Sequence, residues 1–252
     1  MKHKNMQTIL NQIVKQKIKE LKQKKNTLIY QNTFKKAMNK NDMALIAEIK
    51  LKSPSSGNLG QRRDLATRAR LYEKAGVDAI SVITDKKFFS GDIKFIQKIK
   101  NVTALPVLQK DFIINPYQIC ESKTSGADAI LLIARLITKQ KLIFFVELAQ
   151  SIGLEPVVEI YDENDLKKAI ATANSFIAVN ARDLQTFDVN IDKACKLIKK
   201  IPDKFIKFGF SGINSALDVK KYQKAGAKGV LVGTSLMKET NTQKFISSLR
   251  NI

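Results

Sequence analysis

One pattern recurs three times in the chain, as KAGVDAISVIT (74–84), TSGADAILLIA (124–134) and KAGAKGVLVGT (224–234). In each copy a glycine follows an amphipathic stretch and precedes a short apolar run without polar alternation. A glycine in this position typically ends a helix, and an uninterrupted apolar run is typical of a strand buried on both faces. The repeat therefore predicts a unit made of a helix, a turn and a buried strand.

Similar apolar runs fill the intervals between these copies. The predicted strands are ALIAEIK (44–50), AISVIT (79–84), LPVLQK (105–110), AILLIA (129–134), EPVVEI (155–160), FIAVN (176–180), FIKFGF (205–210) and GVLVG (229–233). Helical patterns separate them, most clearly at 63–76 and 214–226. Alternating strands and helices favour parallel pairing, and eight units in about 250 residues predict a (β/α)8 TIM barrel. The alternative, an open doubly wound sheet, usually carries a GxGxxG turn that this chain lacks.

The rare residue types exclude several chemistries. The 252 residues include one histidine, His3, and two cysteines, Cys120 and Cys195, without CxxC spacing. Histidine-based triads and multi-histidine metal sites are therefore excluded, and we expect no metal and no cofactor. Lys, Glu, Asp and Tyr remain as acids and bases. No signal peptide or membrane-length apolar run is present, and the few cysteines suit a reducing compartment, so we expect a cytoplasmic protein.

The formal net charge is +21, and 37 of the 44 basic residues are lysine. Nucleic-acid readers rely more on arginine, so this balance favours a lysine-rich surface or a field that attracts small anions. The basic N-terminus carries apolar residues at helical spacing between Ile9 and Leu21. We expect a helix packed on the domain, and an RNA-binding or membrane-surface helix is the alternative.

Charged and polar residues interrupt the apolar runs where the predicted strands end. Glu48 and Lys50 end the first strand, Lys110 the third, Glu159 the fifth and Asn180 the sixth. In a barrel these ends meet at one mouth, where barrel enzymes carry their active sites. Structural ion pairing, for example Glu48 with Lys50 or Lys110, is the alternative for any single residue.

Small residues follow the last two strands. Ser211 and Gly212 follow the seventh strand, and Gly233 and Thr234 follow the eighth. Backbone N–H groups in such turns can approach phosphate oxygens closely, assisted by the start of a short helix. The position of both turns therefore predicts a phosphate-binding site.

Longer strings resemble the indole-3-glycerol phosphate synthase family of tryptophan biosynthesis. They span nearly the whole chain in family order: IAEIKLKSPSSG (46–57), PVLQKDFIINPYQI (106–119), ADAILLIA (127–134), GLEPVVEIYDENDL (153–166), VNARDLQTF (179–187), FSGI (210–213) and GVLVGTSLM (229–237). The EIKxKSPS and KDFI strings are highly specific for this family. The resemblance implies one TIM-barrel domain over residues 1–252, with residues 1–43 as an N-terminal helical extension and residues 44–252 as the barrel.

The resemblance also implies an activity and the residues that perform it. The family is a group of carboxy-lyases that close the ring of 1-(2-carboxyphenylamino)-1-deoxyribulose 5-phosphate, release CO2 and eliminate water. By family match, Lys110 protonates the ribulose carbonyl oxygen and Glu159 is the base. Lys50 matches a lysine that contacts the carboxylate or acts as the second acid, and the division of roles between the two lysines stays open. Glu48 matches the carboxylate that orients this network, and Asn180 matches an active-site amide.

Eight further positions match the family's binding residues. They are Arg182 near the substrate carboxylate, Ser53, Ser211, Gly212, Gly233 and Thr234 at the phosphate and active-site edge, and Phe112 and Leu131 as apolar walls for the aromatic ring. Three positions depart from the family pattern. Phe210 stands where an acidic residue is usual, Ala181 where an asparagine is usual, and Tyr161 where histidine is common. We expect Phe210 to be the departure that reduces turnover.

Two other functions are alternatives to this activity. Phosphoribosylanthranilate isomerase, another phosphate-binding barrel, lacks the EIKxKSPS and KDFI strings. A basic RNA-binding barrel without catalysis is the second, suggested by the net charge and Phe210. We expect a monomer that binds a small substrate with a phosphate and a carboxylate, and neither nucleic acid nor a membrane.

Overall fold

The computed structural model describes residues 33–39, 43–54, 57–61, 64–183 and 186–250. Eight parallel strands form its centre: β1 Ala44–Ile49, β2 Ala79–Ile83, β3 Val107–Lys110, β4 Ala129–Ile133, β5 Glu155–Ile160, β6 Phe176–Asn180, β7 Ile206–Phe210 and β8 Gly229–Val232. Each strand pairs with the next, and β8 pairs with β1, so the sheet closes into a barrel. The predicted TIM barrel is confirmed, with strand limits within two residues of the expected ones.

Helices alternate with the strands along the chain. Those in the described ranges are α1 Thr33–Met38, α2 Leu65–Lys74, α3 Lys86–Phe89, α4 Lys94–Lys100, α5 Pro116–Thr124, α6 Lys139–Ser151, α7 Glu163–Ala169, α8 Ile191–Ile198, α9 Ala216–Lys224, α10 Thr234–Lys238 and α11 Thr242–Arg250. The repeat glycines Gly76, Gly126 and Gly226 have φ values of 82°, 90° and 97°, so each supplies the left-handed turn that ends a helix. No helix in these ranges is long and apolar enough to span a membrane.

The predicted N-terminal extension falls mostly outside the described residues. Its described part contains α1, which packs against the inner core of the barrel through Phe34 and Met38. The Phe34 ring meets the Phe176 ring edge-on, with centroids 5.6 Å apart. Phe208 stacks on Phe176 at 5.4 Å, and Phe210 stacks on Phe208 at 6.3 Å. A column of four rings therefore runs inside the barrel from α1 to the end of β7.

Alternation along the strands separates two apolar cores. Inward residues such as Ile46 and Leu131 form the core inside the barrel, whereas Leu45 and Ile80 belong to the core between the strands and the helices. Because side chains alternate across a strand, Glu48 must point inward two residues after Ile46. The same periodicity therefore builds the core and aims polar side chains at the barrel interior.

Two aspartates of the repeat stabilise the end of the barrel at which the strands begin. Asp78 accepts a hydrogen bond from the backbone N–H of Leu45 at 2.9 Å, and Asp128 accepts one from the N–H of Val107 at 2.8 Å. Asp128 also accepts from the Thr33 hydroxyl at 2.8 Å, which ties α1 to the barrel. These carboxylates accept hydrogen bonds from backbone N–H groups in the first two residues of β1 and β3, which would otherwise lack partners.

We expect Asp128→Ala to lower the free energy of unfolding by about 2–4 kcal/mol, because it removes three hydrogen-bond partners and leaves the buried Val107 N–H unsatisfied. The three donors are Thr33, Lys100 and Val107. Urea unfolding followed by circular dichroism measures the change. The matched control is Glu163→Ala, whose ion pair with Lys200 lies on the surface, and its effect should be much smaller. Equal effects of the two substitutions would contradict the role of Asp128.

Candidate active site

The carboxyl ends of the strands surround one cavity of about 710 Å³. All thirteen residues predicted for the site line it: Glu48, Lys50, Ser53, Lys110, Phe112, Leu131, Glu159, Asn180, Arg182, Ser211, Gly212, Gly233 and Thr234. They come from seven of the eight strands or the turns after them, so barrel closure alone brings them together. Among the described residues, no three His, Cys, Asp or Glu side chains are grouped closely enough to hold a metal.

Glu48 and Lys50 form an ion pair at the end of β1, with Lys50 Nζ 2.7 Å from Glu48 Oε1. Both side chains point to the same side of the strand because they are two residues apart. Burial by itself raises the pKa of Glu48, but Lys50, Lys110 and Arg182 together outweigh burial and leave the pKa below its ordinary value. Glu48 therefore stays ionised and holds the Lys50 ammonium. The structural ion pairing that the sequence left open is present here, inside the cavity.

Glu159 has the opposite electrostatic character. Burial at the end of β5 raises its pKa, and the favourable effects of Lys110 and of a hydrogen bond from Asn180 do not cancel this. The Asn180 amide donates to Glu159 Oε1 at 3.2 Å and accepts from the Ser211 hydroxyl at 2.8 Å. Oε2 of Glu159 is buried without a partner among the described residues. Glu159 is thus an oriented carboxylate with one oxygen available to take a proton.

Lys110 ends β3 and brings an uncommitted ammonium into the cavity. Its Nζ forms no salt bridge or hydrogen bond within the described ranges, although Lys110 contributes to the electrostatics of both glutamates. Next to it, the Phe112 ring lies 6.3 Å from the Phe89 ring of α3. Leu131 and Ile133 of β4 add apolar wall. A charged proton donor and a flat apolar surface therefore share this side of the cavity.

One direct hydrogen bond joins the turn after β7 to the start of the helix after β8. The Ser235 hydroxyl, in α10, donates to the carbonyl of Ile213 at 2.6 Å. The Tyr222 hydroxyl lies 3.0 Å from the carbonyl of Ser211 and anchors the first turn from behind. Gly212 has a φ of 82°, a conformation that glycine adopts without strain. The small residues of the two turns therefore form one continuous part of the cavity edge: Ser211, Gly212, Gly233 and Thr234.

The loop after β6 forms a part of the wall that the sequence did not predict. Arg182 donates from its guanidinium to the carbonyl of Phe187 at 2.9 Å, and its backbone N–H donates to the Asn180 side chain at 3.0 Å. Phe187 and Val189 both line the cavity and are each 39% exposed. In the sequence, the signal for this part of the wall was the presence of two apolar residues, Phe187 and Val189, in a polar segment after a predicted strand.

The three departures from the family pattern have different surroundings. Phe210 is buried, lines the cavity and ends the ring column. Ala181 is buried, and its backbone N–H donates to the carbonyl of Phe210 at 2.9 Å. The Tyr161 ring lies between Arg135 and Lys193, 4.4 Å and 3.8 Å from its centroid, and is not among the cavity-lining residues. Of the three side chains, only that of Phe210 lines the cavity.

A (β/α)8 barrel whose mouth gathers two lysines and two oppositely tuned glutamates is an enzyme of the acid–base class. Comparison with known proteins gives the family. The model of the indole-3-glycerol phosphate synthase family matches residues 1–249, and the chain belongs to that family. The predicted carboxy-lyase of tryptophan biosynthesis is thereby confirmed.

Named relatives agree with the family model. The indole-3-glycerol phosphate synthase of Caldanaerobacter subterraneus subsp. tengcongensis is 42% identical over 254 aligned positions, which cover 96% of this chain and 99% of the relative. That of Sulfurisphaera tokodaii is 42% identical over 211 positions, covering 84% of each chain. Among solved structures, the tryptophan synthase alpha subunit of Legionella pneumophila matches with a TM-score of 0.65 at 14% identity, over 88% of this chain and 96% of that one. This last similarity concerns the fold alone.

We expect the two buried glutamates to affect stability in opposite directions at pH 8. Glu48→Gln should lower the free energy of unfolding by roughly 2 kcal/mol, because it removes the ionised partner of Lys50. Glu159→Gln should raise it, because it removes a carboxylate that burial disfavours. Urea unfolding of both variants and the parent measures the differences.

The pH dependence separates the two effects. A lowered pKa gives stability that is present above the ordinary carboxyl value of 4.5 and is lost as the pH falls through the folded-state pKa, so the Glu48 contribution fades in acid. A raised pKa costs stability as the pH rises from 4.5 through the folded-state pKa, so the gain from Glu159→Gln should vanish near pH 4. Changes of the same sign in both variants at pH 8 would contradict these assignments.

Proposed function

We propose that this cavity converts 1-(2-carboxyphenylamino)-1-deoxyribulose 5-phosphate to indole-3-glycerol phosphate with Lys110 as the first acid and Glu159 as the base. The observation that supports these roles is that neither group is fully engaged with other described residues. The Lys110 ammonium forms no salt bridge with a described residue, and Glu159 Oε2 has no partner among them. Both groups are therefore available to the substrate in the same cavity.

Ring closure needs a proton at the ribulose carbonyl. The aryl carbon that bears the carboxylate attacks the carbonyl carbon, and Lys110 donates a proton to the oxygen as it becomes a hydroxyl. None of the N–H bonds of the Lys110 ammonium is taken by a residue that the structure describes, whereas Lys50 directs one toward Glu48. A positive charge beside the developing oxyanion also lowers the barrier electrostatically. This difference favours Lys110 over Lys50 for the first step.

Loss of CO2 restores the aromatic ring, and elimination of water then forms the indole. Elimination requires a base for the proton that leaves the newly formed ring and an acid for the departing hydroxyl. We assign the base to Glu159, which its hydrogen bond from Asn180 orients, and the acid to Lys50, which Glu48 holds at the cavity. A carboxyl group with a raised pKa is a stronger base than an ordinary one, which suits Glu159 to this step.

The binding roles follow from charge and position. We assign the substrate phosphate to the edge formed by Ser211, Gly212, Gly233 and Thr234, where backbone N–H groups and hydroxyls can surround it. One guanidinium N–H of Arg182 is bonded to Phe187, and we assign the others to the substrate carboxylate. Phe112 and Leu131 would contact the aromatic ring, and Ser53 would close the edge beside β1.

We propose that the protein acts as a monomer, without nucleic acid and in the cytoplasm. The excess of lysine over arginine supports the second of these, because phosphate-backbone and base readers favour arginine. Two free cysteines support the third.

The kinetic test uses the fluorescence of the indole product. We expect Lys110→Ala and Glu159→Gln each to lower kcat by about 10²–10⁴-fold, because each removes a proton-transfer group. The matched controls are Lys98→Ala on the exposed face of α4 and Glu163→Gln at the start of α7, which lie outside the cavity and should keep the parent rate.

Product binding is measured in parallel to show that the variant sites are intact. A folded parent protein without turnover would refute the proposed activity. An Lys110→Ala or Glu159→Gln variant with more than about a tenth of the parent kcat would refute the corresponding assignment. Tight, salt-sensitive RNA binding by a parent protein without turnover would favour the nucleic-acid alternative.

A further inference from the structure

We propose that Gly233 is a positioning residue for the Glu48–Lys50 ion pair, because the space that its missing side chain leaves is the space that the Glu48 carboxylate occupies. This inference rests on the proposed function and adds a role for Gly233 beyond phosphate contact. Two independent observations carry it: the distances around Gly233, and the register in which β1 and β8 close the barrel.

The distances leave no room for a side chain at this position. A methyl carbon on Gly233 would lie 2.3 Å from Glu48 Oε1, 3.1 Å from Glu48 Cδ and 3.1 Å from Lys50 Nζ. The first distance is far inside van der Waals contact. Gly233 has a φ of −124°, outside the left-handed region, so the need for glycine here is one of space. The nearest atoms are those of the ion pair itself.

The register explains why these residues meet. Ala47 of β1 pairs with Val232 of β8 across the seam that closes the barrel. Glu48 is the next residue of β1, and Gly233 is the first residue after β8. Glu48 faces inward because side chains alternate and Ile46 faces inward before it, and a side chain on Gly233 would point at the Glu48 carboxylate. Glu48 is therefore directed across the seam at the position of Gly233. Any residue larger than glycine would push the carboxylate back.

A displaced carboxylate would disturb the ion pair. Glu48 Oε1 is the atom that Lys50 Nζ contacts at 2.7 Å, so a shift of the carboxylate away from Gly233 moves one of the two partners of this ion pair. Lys110 and Arg182 also act on Glu48, and Glu48 in turn acts on Glu159. A side chain at position 233 that displaces the Glu48 carboxylate would therefore change the position of Lys50 and the electrostatic interactions among the charged residues of the cavity.

Gly233→Ala separates positioning from phosphate contact, because alanine keeps the backbone N–H and adds only the methyl group. We expect kcat to fall by about 10–100-fold, the effect of a displacement near 1 Å in an active site. The KM for substrate and the inhibition constant of inorganic phosphate should each change by less than about threefold. The acid limb of the kcat profile should move to higher pH, because Glu48 without Lys50 keeps its proton to higher pH.

A second variant makes the steric origin testable. Glu48→Asp withdraws the carboxylate by one methylene, so the added methyl group should no longer meet it. We expect kcat of the Glu48→Asp/Gly233→Ala double variant to lie within about threefold of Glu48→Asp alone, which is strong non-additivity. Gly60→Ala is the matched control. Its methyl carbon would meet only the flexible end of Met237 at 3.3 Å and Leu51 at 3.6 Å, and kcat should be unchanged.

A crystal structure of Gly233→Ala provides a readout that needs no turnover. We expect the distance from Lys50 Nζ to Glu48 Oε1 to increase from 2.7 Å to beyond about 4 Å. An unchanged ion pair in that structure would overturn the proposal even if the parent protein has no activity. A parent protein without turnover, together with a broken ion pair in the variant, would refute the proposed function and leave the positioning role standing.

The kinetic outcomes are equally decisive. Weaker phosphate inhibition with an unchanged kcat would mean that Gly233 acts through phosphate contact alone, and additive effects in the double variant would exclude a steric origin. If Gly233→Ala fails to fold, the folding of the Glu48→Asp/Gly233→Ala double variant tests the proposal. A folded double variant supports the conflict with Glu48, and an unfolded one overturns it.

Discussion

Pairing of the first strand with the last is the interaction on which the rest of the structure depends. It joins Ala44 to Gly229 and Ala47 to Val232, and it converts an open sheet into a closed barrel. Closure brings the carboxyl ends of all strands around one cavity, and its register directs Glu48 at Gly233. A slip of one residue at this seam would turn Glu48 away from the barrel interior. The cavity therefore depends on one particular register as much as on its own side chains.

The pKa values of Glu48 and Glu159 are shifted in opposite directions, although both carboxyl groups line the same cavity. Glu48 and Glu159 are both buried, and desolvation opposes ionisation in both. The nearby cations reverse the result for Glu48 alone, since Lys50 contacts it directly whereas Lys110 acts on Glu159 without a salt bridge. The positions of Lys50 and Lys110 therefore determine that Glu48 stays ionised, whereas Glu159 has a raised pKa and can act as a base.

Phe210 links the site to the core. As the last ring of the column that begins at Phe34, it belongs to the packing of the barrel and also lines the cavity. The sequence predicted that an acidic group was missing here, but it did not predict that stacking on Phe208 takes its place. The contacts that continue this stack, from Phe208 to Phe176 and from Phe176 to Phe34, join residues far apart along the chain, so only the folded barrel reveals them.

The sequence by itself determined the eight strands, the helical segments between them and thirteen of the residues that line the cavity. Buried strands appear as uninterrupted apolar runs, helices end at glycines, and polar residues such as Lys110 and Glu159 mark the strand ends. Only the tertiary structure decided that Glu48 pairs with Lys50, that Phe187 joins the cavity wall and that Gly233 leaves room for a carboxylate. Such contacts depend on the register between distant strands and on the course of a loop, and local periodicity encodes neither.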